Sequence, residues 1–191
     1  MSCAAIKPAI EAIRNGEIIG LPTDTVYGIG ADPMQRSAVE RLFAAKQRPG
    51  INPIPILAAT IEGVRRVAVI ADDVATLAVR HWPGGVTLIL PRNPCVPEWV
   101  GDPRRNTVGV RIPDHPTALA VLAVAGPLAV TSANRSAAEP AFDAVGARQA
   151  LGDSVAVYLP GSAKGRAAST IVDVTGGEPR ILREGPVEWV S

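Results

Sequence analysis

Soft metal ligands are scarce in this chain: two cysteines and two histidines stand among 191 residues. Cys3 and Cys95 lie far apart and form no CxxC pair, which argues against a disulfide framework or zinc knuckle and fits a reducing, cytoplasmic setting. With only His81 and His115 and no HExxH, no tightly held metal is expected. Aromatics make up 4% of the residues. The core must therefore come from Ala, Val, Ile and Leu, and the stacking platforms of RNA-binding modules are missing. A dominant charge is missing too. Nineteen Lys and Arg against 18 Asp and Glu leave a formal net charge of +1, so any anion site must be local. The longest apolar run, residues 118–130, is interrupted by Gly126 and Pro127, short of the roughly 20 residues that a membrane helix needs. The N-terminal MSCAAIKPAIEAIRNG carries charges inside its apolar pattern, unlike a signal peptide. Nucleotide and hydrolase signatures also fail. GIGADP ends in Pro33 where GxGxxG needs glycine, GSAKGRAAST has Arg166 where a P-loop needs lysine, and Ser132 has no GxSxG elbow.

What is present is an ordinary globular composition, 47% apolar and 19% charged, in a length that suits one domain over residues 1–191. Helical spacings alternate with short β-branched runs. Pro8 is expected to open a first helix that Gly16 closes, followed by a strand in EIIGLP. Ser37 and Glu40 suggest a capping box before Val39, Leu42 and Phe43. IPILA reads as a strand, IEGVRRV and DDVATLAVRHW as helices, and GVTLILP with TVGVRIP as a strand pair. Asp114 is expected to cap HPTALAVLAVA; LAVT is a buried strand, DAVGARQAL a helix, and VAVYLP, STIVDVT and RILRE are strands. This mixture predicts a three-layer α/β or α+β domain with a twisted, mixed sheet. Ligands of open sheets bind beside strand ends.

Polar groups gather at those ends. LPTDTVYGIG, residues 21–30, runs from a strand into three short polar side chains and two glycines that let a ligand approach the backbone. KQRPGINPIPIL puts Lys46 and Arg48 at a helix end before a proline-stiffened turn. On their own they would simply complement the helix dipole. Arg111 sits on an alternating strand, on the face of Gly109 and Thr107, and needs an anionic partner or an open cleft. AVTSANRS ends an apolar strand in Thr131, Ser132 and Asn134. AASTIVD and RILREG add Ser169, Thr170 and Arg183. Each stretch alone reads as turn or surface chemistry; four cations with hydroxyl-rich strand ends are what an anionic substrate requires.

In order, PTDTVYGIG, KQRP with NPIPIL, WPGGVTLIL, TVGVRIPDHP, TSANRS, STIVD and ILREG resemble the YrdC family, the threonylcarbamoyl-adenylate synthases of tRNA modification. The resemblance covers almost the whole chain and implies a twisted mixed parallel/antiparallel sheet with a cationic concave groove. It implies an enzyme that joins ATP, L-threonine and bicarbonate into threonylcarbamoyl-AMP and pyrophosphate. Mg²⁺ would arrive with ATP, and a tRNA-modifying assembly would take up the threonylcarbamoyl group. By the same resemblance Lys46, Arg48, Ser132 and Asn134 are the catalytic set. Lys46, Arg48, Asn52, Thr107, Asn134 and Arg183 would serve ATP, and Thr25, Arg111, Ser132 and Ser169 would serve threonine. The chain departs from the family pattern at Leu57, where some members have histidine, at Ala137-Ala138 in place of Ser-Gly, and in PGG at residues 83–85.

Two other readings compete. One is a non-catalytic RNA-binding module, with Arg65-Arg66 and Arg104-Arg105 available for a weak tRNA contact. The other is carbamoyl-adenylate chemistry of the kind found in hydrogenase-maturation domains.

Overall fold

A computed structural model describes residues 3–47, 53–136 and 138–190. Its elements alternate as the residue pattern predicts. The helices are α1 (Cys3–Arg14), α2 (Arg36–Ala45), α3 (Ile61–Arg65), α4 (Asp72–Ala78), α5 (Pro116–Ala125) and α6 (Ala144–Leu151). The strands are β1 (Ile19–Leu21), β2 (Gly28–Ala31), β3 (Ile56–Leu57), β4 (Val86–Pro91), β5 (Thr107–Arg111), β6 (Leu128–Ser132), β7 (Val157–Tyr158), β8 (Thr170–Asp173) and β9 (Arg180–Arg183). Among the described residues they form one nine-stranded sheet in the order β7-β1-β2-β6-β3-β5-β4-β8-β9. The sheet is mixed: β1–β7, β3–β5 and β4–β8 run parallel, and the other neighbours antiparallel.

The period of two along each strand produces the layers. On β6, Leu128 and Val130 join Ile10 and Ile13 of α1 and Val121 and Leu122 of α5 in one apolar cluster. Ala129 between them belongs to a second cluster with Leu42 of α2, Val64 of α3 and Leu151 of α6. Alternate residues thus feed opposite faces, and helices cover both. The second cluster also takes Leu88, Leu90, Val108 and Val110. Their alternates, Thr87, Ile89, Gly109 and Arg111, fall on the first face and line an open cleft. That uncovered part of the sheet is where a site can form.

Several local expectations change. Pro8 lies inside α1 rather than opening it. The capping box at Ser37 and Glu40 does not form. The helix begins at Arg36 behind Gln35, which makes no side-chain cap bond, and Glu40 pairs with Arg36 at 3.0 Å instead. Asp114 is displaced as a cap by His115, whose Nδ1 accepts the Thr117 N–H at 3.2 Å. Burial lowers the pKa of His115, with Lys164 adding to the effect, and so favours the neutral ring that an accepting Nδ1 requires. Residues 28–31, for which the sequence pattern predicts no strand, form β2. Its glycines accommodate the partner strand: a Cβ on Gly28 would meet Val130 Cγ1 at 2.8 Å, and one on Gly30 would meet Val130 Cγ2 at 3.1 Å. Among the described residues no helix is long and apolar enough to cross a membrane.

At the far edge of the sheet, Asp173 ends β8 and ties down the β4–β5 connection. Its carboxylate accepts from Arg105 at 2.5 Å and from the Thr175 hydroxyl and N–H at 2.6 and 3.0 Å. Burial alone would raise its pKa, but these donors overcome it and hold it at about 2, against an ordinary 3.8. The lowered pKa means that Asp173 contributes stability above the unfolded-state value, and the contribution is lost as pH falls through about 2. In acid-unfolding titrations, Asp173→Asn is therefore expected to fall less steeply between about pH 4 and 2 than the unaltered chain. An unchanged slope would mean that Asp173 does not carry this dependence.

Candidate functional site

Arg111 ends β5 with its side chain 7% exposed, facing the uncovered part of the sheet. A guanidinium so deep needs a counter-charge, and the chain supplies one from the loop after β1: Arg111 Nη1 donates to Asp24 Oδ1 at 3.1 Å. Burial lowers the Arg111 pKa, Asp24 opposes that, and the positive charge of Arg183 lowers it further. Arginine's ordinary value is so high that the group stays charged. The two guanidiniums therefore feel one another across the cleft. They are the charged groups among its described lining residues, which enclose about 320 Å³.

Hydroxyls fill out the wall. Arg183 donates through Nε and Nη2 to the Ser169 carbonyl at 3.1 and 2.8 Å, with Nη2 at 3.3 Å from Ser169 Oγ. Ser169 Oγ lies 2.8 Å from Thr87 Oγ1. Thr23 and Thr25, 1% and 4% exposed, form the opposite wall. The floor is kept low by Gly109, where an added Cβ would lie 3.2 Å from Ile89 Cδ1 and 3.3 Å from Thr87 Cγ2. A ligand can thus lie close to the β5 backbone with donors above it.

The strand β6 delivers Ser132 to the same cleft, and Lys46 shapes the turn that follows. Lys46 is 4% exposed at the end of α2. Its Nζ donates to the carbonyls of Ser132 (2.7 Å) and Asn134 (2.8 Å) and to Asn134 Oδ1 (3.0 Å). Ser132 Oγ donates to Asn134 Oδ1 at 2.5 Å, and Asn134 Nδ2 donates to the carbonyls of Arg135 and Ala138. The ammonium stands behind the Ser-Ala-Asn turn and organises it. Asn134 spends its amide inside the turn.

The expected site residues sort into three groups. Thr25, Arg111, Ser132, Ser169 and Arg183 line one cleft, with Lys46 and Asn134 packed directly behind Ser132. Thr107 shares the face of Gly109 and lies two residues beyond it on β5, about 7 Å along the strand. There its backbone pairs with Asp102, and it is not part of the described cleft lining. Arg48 and Asn52 lie outside the described residues. Sequence reasoning passed over Thr23, Asp24 and Thr87. The signal for Thr87 was a lone hydroxyl in the apolar run VTLIL. The signal for Asp24 was the unmet need of Arg111 for an anion. A larger hollow of about 710 Å³ opens on the opposite face, walled by Phe43, Ile54, Ile56 and Trp99. Its lining contains neither Arg111 nor the Ser132 turn.

The sequence and fold have counterparts in known proteins. A putative threonylcarbamoyl-AMP synthase of Mycobacterium tuberculosis (strain ATCC 25618 / H37Rv) is 45% identical over 186 residues, covering 95% of this chain and 84% of that protein. The crystal structure of Pyrococcus abyssi Sua5 complexed with L-threonine superposes with a TM-score of 0.88 at 35% identity. The match covers 94% of this chain and 54% of that one, so the chain spans about half of the Pyrococcus protein. Escherichia coli YciO gives a TM-score of 0.88 at 26% identity, covering 97% of this chain and 91% of its own. The Sua5/YciO/YrdC family model, described as telomere recombination, matches residues 11–185. From β1 through β9, then, the chain belongs to the Sua5/YciO/YrdC family.

Proposed function

We propose that this protein is an L-threonylcarbamoyladenylate synthase, a nucleotidyltransferase that makes threonylcarbamoyl-AMP and pyrophosphate from ATP, L-threonine and bicarbonate. The observation that carries the reading is the joining of Arg111 and Arg183 with Thr25, Ser132 and Ser169 in one small cleft, in a chain whose relatives bear that name.

The reaction asks little covalent work of side chains. The threonine nitrogen bonds to the carbon of CO₂ derived from bicarbonate and gives up a proton, which makes a carbamate. A carbamate oxygen then bonds to the α-phosphorus of ATP while the bond to the β-phosphate oxygen breaks and pyrophosphate leaves. Positioning and charge stabilisation carry such a step. Arg111 suits the threonine carboxylate through its planar fork. Thr25, Ser132 and Ser169 offer partners for the amine and hydroxyl, which disfavours valine because its methyl would leave a polar group unpaired. Arg183, at the cleft edge, faces the nucleotide side. Lys46 and Asn134, which hold the turn that presents Ser132, also belong to the ATP side of the proposal. By the family resemblance Arg48, Asn52 and Thr107 would bind ATP, and Mg²⁺ enters as part of the ATP substrate. A cytoplasmic location and a downstream tRNA-modifying assembly belong to the same proposal.

The test is to incubate the protein with ATP, Mg²⁺, threonine and bicarbonate and search by mass spectrometry for the threonine–carbamate–AMP adduct. Pyrophosphate release should require both threonine and bicarbonate. Pyrophosphate release with carbamoyl phosphate in place of threonine would favour the hydrogenase-maturation type of chemistry. Salt-sensitive tRNA binding without ATP consumption would favour the RNA-binding module.

A further inference from the structure

The hydrogen-bond directions around Thr23 have a consequence for the substrate. Thr23 is 1% exposed, and its Oγ1 lies 2.7 Å from the Val26 carbonyl oxygen. A carbonyl only accepts, so the single Thr23 hydroxyl proton is committed to Val26. The Thr23 oxygen also accepts the Thr25 backbone N–H at 3.2 Å. The remaining contact, Thr23 Oγ1 to Thr25 Oγ1 at 3.0 Å, must therefore be donated by Thr25. With its only proton turned inward, the Thr25 oxygen can do nothing toward the cleft but accept.

We propose that Thr23 is a positioning residue that makes Thr25 an obligate acceptor and so sets the orientation of the amino acid substrate. This rests on the synthase reading. An acceptor-only oxygen at Thr25 takes the N–H groups of the substrate amine and repels its carboxylate. Arg111, which only donates, takes the carboxylate. Asp24 lies between Thr23 and Thr25 in sequence and binds Arg111 at 3.1 Å, which keeps the accepting and donating ends adjacent. In an α-amino acid the amine and carboxylate are likewise adjacent. A hydroxyl free to rotate would tolerate either orientation, and Thr23 removes that freedom.

The experiment uses the full chain and the variants Thr23→Val, Thr23→Ser and Thr25→Ala; it measures turnover with threonine, and binding of threonine and of 3-hydroxybutyrate, which keeps the carboxylate and hydroxyl but lacks the amine and so cannot react. Losing a charge-assisted hydrogen bond costs about tenfold or more in affinity. Thr23→Val should raise the KM for threonine by roughly that factor while the KM for ATP stays within about twofold. Thr23→Ser should restore it. The unaltered protein should prefer threonine over 3-hydroxybutyrate by about tenfold or more, and Thr23→Val should narrow that gap. In the Thr25→Ala background, Thr23→Val should add little, because the two act as one unit. Equal loss of affinity for both ligands, or additive losses in the double variant, would overturn the proposal. If Thr23→Val does not fold, the two-ligand comparison on the unaltered chain and on Thr25→Ala decides: equal affinities for both ligands in the unaltered chain overturn it. No threonine binding by the unaltered protein would instead overturn the synthase reading itself.

Discussion

Replacing Lys46 with methionine is expected to cost about 3 kcal/mol of stability and to slow adduct formation roughly a hundredfold. Two backbone carbonyls and the Asn134 amide oxygen take their bonds from the Lys46 ammonium. Methionine fills much of the same space without a donor, so these acceptors lose a charged partner together. Releasing the buried charge offsets part of the loss, which is why the figure stays near the cost of one or two unmet groups. For a chain of this size that is about 6–12 °C in Tm. The activity loss has a separate origin. Without the ammonium, Ser132 Oγ no longer has a fixed partner in Asn134, and a displacement of about 1 Å at a reacting centre is enough for the stated slowing. Thermal melting and adduct formation by mass spectrometry check the two effects. A variant that melts normally but is inactive would place the Lys46 charge on the phosphates rather than behind the turn.

Arg111→Met should be destabilised by about 3–5 kcal/mol, since it strands the Asp24 carboxylate in a buried position. It should also raise the KM for threonine by about tenfold to a hundredfold through loss of a charged hydrogen-bond donor. The two effects separate in the double variant Arg111→Met/Asp24→Asn. Neutralising the stranded carboxylate should recover most of the stability and none of the threonine affinity. Denaturant unfolding gives the first quantity and substrate titration the second. Recovery of threonine affinity in the double variant would show that Arg111 serves Asp24 alone and does not touch the substrate.

Much of the fold was legible because its strands are short, β-branched and alternating. GVTLILP and TVGVRIP read as a pair, and β4 and β5 do pair antiparallel. β2 was hidden because Gly28 and Gly30 lower strand propensity. Their role appears only when Val130 of β6 is placed across from them. The Ser37 and Glu40 spacing was a fair capping signal, but the chain entered α2 earlier and Glu40 found Arg36 at one helical turn. Asp114 and His115 are neighbours, and only the path of the chain into α5 selects the imidazole as the cap.

Residue types and their spacing determined on their own that this is a mixed α/β domain with hydroxyls and arginines clustered at strand ends, because period and propensity are local properties. Tertiary structure decided which of those groups face solvent, which face the cleft and which face one another. Lys46 and Ser132 are 86 residues apart, and Arg111 and Asp24 are 87 apart. No local rule relates the members of such pairs; the order of strands in the sheet brings them together. The hydrogen bonds that fix the Thr23 proton are local, two and three residues long, but only the tertiary structure sets that turn against Arg111 and the cleft.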